Sequence, residues 1–64
     1  MLKEIIGEHV EEVAIRIYYR QDPEGITKDL LERKIIPKDL YGKVLGYIQA
    51  VHDEFERSRK IQNI

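Results

Sequence analysis

Residues 2–20 read "LKEIIGEHVEEVAIRIYYR", and the period assigned to them decides the fold. On a helical template Leu2, Ile6, Val10, Val13 and Ile17 step by four, four, three and four, which puts them on one face. Ile5, Ala14 and Tyr18 widen that stripe, while Lys3, Glu4, Glu8, Glu11, Glu12, Arg16 and Arg20 fill the other side. On a strand template Val13, Ile15, Ile17 and Tyr19 alternate with Ala14, Arg16, Tyr18 and Arg20, in a segment rich in β-branched and aromatic side chains. The helix accounts for residues 2–18 with one rule, whereas the strand accounts only for 12–20. The spacing therefore predicts an amphipathic helix over 2–18 with an acidic outer face. Ile15 and Tyr19 fall off the main stripe, which predicts burial of this helix on two sides.

Outward from this stretch, "QDPEG" at 21–25 breaks the chain. Pro23 cannot continue a helix, and Gly25 permits a left-handed turn. Thr27 is the expected N-cap of a short second helix over 27–35, with Asp29 in its first turn and Leu30, Leu31 and Ile35 or Ile36 facing inward. Pro37 suits the first turn of a third helix, where its missing N–H costs nothing. That helix is predicted over about 37–58, about 30 Å long at 1.5 Å per residue. Tyr41, Leu45, Ile48, His52 and Phe55 form one apolar stripe on it, and Leu40, Val44, Tyr47 and Val51 form a second beside it. Gly42, Gly46 and Ala50 repeat every fourth residue, and an interior glycine costs about 1 kcal/mol against alanine. Their spacing predicts a close crossing with another backbone, for instance at a dimer axis. After Phe55 the pattern lapses, and residues 59–64 are expected to fray. The predicted fold is all-α: one domain over 1–64, with a short central helix between two longer outer ones.

A chain of 64 residues buries only about 60% of the surface that its unfolded form exposes, so a core this small usually needs a disulfide, a metal or a partner. With no cysteine, disulfides are excluded. Self-association is the expected source of further buried area. A homodimer interface is predicted at Tyr41, Leu45, Ile48, Val51 and Phe55, because the rest of a 64-residue chain is too little to cover both stripes of the third helix along its whole length. The N-terminus lacks the form of a signal peptide, since Glu4 and Glu8 interrupt its apolar run. No apolar run reaches the roughly 20 residues needed to span a bilayer. These features predict a soluble, cytoplasmic protein that does not enter membranes.

Net charge is −1, which removes the polycation class of nonspecific nucleic-acid binders. The charge is uneven: −3 over residues 1–25, +2 over 26–43 and 0 over 44–64. The basic middle, "ITKDLLERKIIPKDLYGKVLGYI" at 26–48, reads as helix, turn, helix. It resembles the helix-turn-helix family in that Leu30, Ile36, Tyr41 and Val44 fall where that family packs its two helices together. It departs from the family at Leu31, where a small residue is usual, at Ile35, where the turn usually has glycine, and at Lys34, which replaces a buried apolar residue. The resemblance implies a DNA-binding transcriptional regulator using residues 27–48, with Lys28, Lys34, Lys38 and Lys43 as nucleic-acid contacts. The strand template implies a ribbon-helix-helix DNA binder instead, pairing "VAIRIYY" with its copy and presenting Ala14, Arg16 and Tyr18.

His9 precedes Glu12 by three residues and His52 precedes Glu56 by four, so each pair lies one helical turn apart. Facing pairs of this kind could chelate a metal, but at the edge of apolar stripes they read as boundary histidines, and no metal or cofactor is expected. No phosphate-cradling glycine loop or Ser–His–Asp set is present. The expected function is therefore noncatalytic: a small regulatory or adaptor protein that acts through protein–protein interaction as a homodimer, with the helix-turn-helix regulator as the alternative.

Overall fold

The computed structural model describes residues 2–62, with side chains described as far as Arg59. The described chain is helical, with no strand: α1 (Leu2–Ile6), α2 (His9–Tyr18), α3 (Pro23–Glu32), a 3-10 turn (Lys38–Leu40) and α4 (Tyr41–Gln62). The strand template for 12–20 is thereby excluded. The predicted helix over 2–18 needs one correction, because it is two helices. Gly7 adopts a left-handed conformation (φ 57°) and its N–H closes α1 on the Lys3 carbonyl at 2.8 Å. Glycine has no Cβ to penalise that geometry, so the break falls on it. The apolar stripe survives the break: Ile6, Val13 and Ile17 are buried, and Leu2 and Val10 pack against them.

The expected N-cap at Thr27 is also corrected. α3 begins four residues earlier, with Pro23 in its first turn and the Asp22 carboxylate accepting a hydrogen bond from the Gly25 N–H at 3.0 Å. Proline at the first position loses nothing, and aspartate is among the best N-caps. Gly25 is thus inside the first turn of the helix. Thr27 is buried within it, its hydroxyl donating to the Pro23 carbonyl at 2.7 Å.

Both α2 and α3 end in the same way. Arg20 (φ 65°) and Lys34 (φ 61°) are left-handed. Each donates its N–H to the helix, Arg20 to Ile17 and Lys34 to Leu31. The next residue donates too, Gln21 to Arg16 and Ile35 to Leu30. This is the Schellman pattern, built here on basic residues where glycine is usual. Pro37 is extended (φ −78°, ψ 157°) and stands ahead of the 3-10 turn, not inside a helix as predicted. α4 continues to Gln62; of the predicted frayed segment, Asn63 and Ile64 lie outside the described residues.

The core joins Ile6, Val13, Ile17, Ile26, Leu30, Ile36, Val44 and Ile48. α3 packs most extensively on α4, and α2 leans on both. At 22 residues and about 33 Å, α4 sets the long axis of a molecule measuring 41 × 20 × 19 Å. Among its residues described as far as Arg59, Ile48 is the last that is fully buried. Beyond it Val51 and Phe55 rest half-buried against the core. The close crossing predicted from Gly42 and Gly46 is absent from the protomer, since a Cβ at either would meet nothing within 4 Å.

Candidate interaction surface

α2 presents three strips, and each has a different fate. Val13 and Ile17 enter the core. One turn of polar residues, Glu12 and Arg16, turns towards α3. There Arg16 pairs with Asp29 at 2.7 Å and with Glu12 at 3.7 Å, while Arg33 pairs with Glu12 at 2.5 Å and with Asp29 at 3.3 Å. The four groups alternate in sign around a closed ring, so every charge has two opposite neighbours. The Arg33 guanidinium holds the Glu12 carboxyl below its usual range, with His9 adding to the effect. Hydrogen bonds from Arg16, then Arg33, do the same for Asp29. Arg16 also donates to the Gln21 side chain at 2.6 Å, which ties the ring to the end of α2.

The third strip is apolar and open. Ile15 and Tyr18 are each 57% exposed and Tyr19 is 78% exposed, an unusual degree for an isoleucine and two tyrosines on adjacent turns. Ile15 and Tyr18 line a groove between α2 and the end of α4, completed by Ala14, Phe55, Ser58 and Arg59. The rings of Tyr18 and Tyr19 stack at 5.4 Å with 17° between their planes. Arg59 fixes the far wall. Its guanidinium lies 5.5 Å from the Tyr18 ring centroid, donates to the Tyr18 carbonyl at the C-terminus of α2, and pairs with Glu56 at 3.3 Å. The charge of Arg59 is therefore satisfied within the protomer, and the groove offers aromatic and aliphatic surface.

The residues expected to face a partner divide. Phe55 is in the groove, and Val51 lies half-buried one turn before it. Tyr41 and Leu45 are half-buried along α4. Ile48 has no exposed surface and belongs to the protomer core. Lys28, Lys34, Lys38 and Lys43 are all exposed, and none forms an ion pair among the described residues. α3 and α4 are separated by residues 33–40, against the three- to four-residue turn usual in helix-turn-helix units. His9 sits 3.5 Å from Glu12, and His52 sits 3.3 Å from Asp53 and 4.0 Å from Glu56. Among the described residues no group of side chains is arranged to hold a metal.

Sequence reasoning missed Ile15, Tyr18, Tyr19 and Arg59 as surface residues. The signal was present for two of them, since Ile15 and Tyr19 lie off the helical stripe. That position predicts burial on two sides without saying what covers the second, and within the described chain the second side is open. Among the described residues no helix is long and apolar enough to cross a membrane. The chain matches no family model, no curated protein and no solved structure.

Proposed function

We propose that the protein is a noncatalytic regulatory or adaptor module that acts through protein–protein contact as a homodimer. The observation that carries this reading is the open apolar strip of Ile15, Tyr18 and Tyr19 beside Phe55. Contiguous exposed apolar surface of this kind marks contact sites, and tyrosine is enriched in them. The shortness of the chain supports the dimer, because a small core gains stability from an identical neighbour. Light scattering tests it. The expected outcome is a mass above 7.6 kDa that grows with concentration, accompanied by a melting temperature that rises as well. A fixed monomer mass at about 500 μM with a concentration-independent melt removes the dimer.

One observation favours a second reading, a helix-turn-helix DNA binder: four exposed lysines in the basic segment that have no ion-pair partner among the described residues. Its test is a duplex-DNA shift that weakens as salt rises and is lost in the Lys38→Glu/Lys43→Glu double variant. On the dimer reading neither is seen.

A further inference from the structure

The break between α1 and α2 is unlike the one between α2 and α3. Between α2 and α3 the turn is built in. Pro23 opens α3 and the Asp22 carboxylate caps it, so the chain cannot run through as one helix there. The start of α2 has neither device: no proline stands in its first turn and no side chain caps it. Glu8, in the capping position, is already right-handed helical (φ −64°, ψ −18°), where a cap is usually extended. Ile6 is the last residue of α1, so the departure from helix geometry falls on Gly7 alone (φ 57°).

The sequence carries no break at this point. Leu2, Ile6, Val10, Val13 and Ile17 keep the helical period straight through residue 7. Glycine enters the left- and right-handed wells about equally readily, so it is the residue that admits both a bend and a continuous helix.

We propose that Gly7 is a two-position hinge. Left-handed, it turns α1 onto the core, as in this structure. Right-handed, it joins α1 and α2 into one helix over 2–18, about 25 Å long. Each position has its own support. The bent one buries Ile6 and places Glu11 and Glu12 in the first turn of a helix, where the dipole favours carboxylates. The straight one gives the N–H groups at the start of α2 carbonyl partners in α1, in place of the 3.2 Å bond from the Val10 N–H to the Gly7 carbonyl. Straightening changes the direction of α1 and takes Leu2, Ile5 and Ile6 from the positions they hold on the core. One backbone position thereby controls whether those three side chains belong to the core, and anything that favours one form shifts the population towards it.

The experiment places alanine or D-alanine at residue 7 of the full chain, the second by chemical synthesis, and reads backbone chemical shifts, Ile6 contacts and melts. A Cβ at this position meets nothing within 4 Å, so in the bent form either substitution acts through the backbone alone. L-alanine is penalised in the left-handed well and favoured in a helix, which should raise the ratio of straight to bent about 30-fold or more. The expected result for Gly7→Ala is helical shifts without interruption across residue 7, with loss of the contacts between Ile6 and the core. D-alanine prefers the left-handed well, so that chain should keep the bend and melt no lower than the wild type. A Gly7→Ala chain that stays bent, or that loses helical shifts over 2–6 while α2 keeps them, overturns the hinge. So does one that fails to fold, because the straight form accepts alanine. A D-alanine chain that loses the bend overturns it as well.

Discussion

The two flanks of α2 reverse the usual expectation for a helix on a small protein. The flank that carries Glu12 and Arg16 is the polar one, and it is closed: α3 brings Asp29 and Arg33 against it until each charge has its opposites. The flank that carries Ile15, Tyr18 and Tyr19 is the apolar one, and it is open. In a molecule this small, four helices and a 3-10 turn do not enclose every apolar strip, so the order of burial follows which neighbours are within reach. α3 reaches the polar flank because the bend at 19–22 folds the chain back on that side. The apolar flank has only the end of α4 beside it. The lesson is that a polar strip can be satisfied within one chain while an apolar strip beside it stays exposed.

The comparison can be broken or sharpened by substitution. The largest effect is expected at the edge between the flanks. Ile17→Ala should cost about 2–5 kcal/mol, as a buried large-to-small change does. That is a large share of the whole stability of a chain of this length, about 3–10 kcal/mol, so urea denaturation should show a much lower midpoint than in the wild type. A loss below about 1 kcal/mol would mean that α2 is not held by its buried edge. Next comes Phe55→Asp on the open side, which should cost about 2 kcal/mol within one chain, since Phe55 is partly buried there, and which on the homodimer reading should also lower the mass in solution. A variant that loses stability but keeps its mass would separate the core role of Phe55 from its interface role.

Smaller effects lie at the ends of α2. Gly7→Ala forces a Cβ into left-handed geometry and should cost about 1–2 kcal/mol by thermal melt. Arg20→Gly relieves the same strain and should raise stability by about 0.5–1 kcal/mol. The smallest effect is expected on the closed flank, where Glu12→Gln should lower the melting temperature only slightly, and less as salt rises. The pH dependence has a definite sign. Glu12 and Asp29 are held below their ordinary range in the folded chain, so the ring contributes stability at neutral pH. That contribution is lost as pH falls through about 4 and below, where the folded-state carboxylates take up protons. An acid-induced drop in melting temperature should therefore be shallower in Glu12→Gln than in the wild type.

Much of the fold was legible in the sequence. The stripe Leu2, Ile6, Val10, Val13 and Ile17 names the inward side correctly, because hydrophobic period reports which side meets the core. It does not report whether the backbone hydrogen bonds are continuous, and for that reason the break at Gly7 was invisible in it. The start of α3 was misplaced because Pro23 can both end one helix and open the next, and Asp22 was read as part of a turn. The left-handed ends at Arg20 and Lys34 carry no glycine to announce them. The candidate surface was only half legible. Phe55 and Val51 were expected to lack full cover, and Ile15 and Tyr19 were visibly off the stripe. An apolar side chain reads the same whether its cover comes from its own chain or from another, and Ile48 shows the confusion in the opposite sense. The ring of Glu12, Arg16, Asp29 and Arg33 joins residues distant in sequence, and only the packing of α2 on α3 brings them together.

The passage from full burial at Ile48 to half-burial at Val51 and Phe55 divides α4 into two parts with different lifetimes. Amide hydrogens from Val44 to Ile48 sit over the fully buried core and should exchange with solvent only through global unfolding. Those from Glu56 to Arg59 are secured by the contact of Arg59 with Tyr18, and should exchange through brief local openings that leave the rest of the molecule intact. The same helix would then show two clocks, slow at its start and fast at its end. The difference between them would shrink with rising protein concentration if a second copy covers the groove.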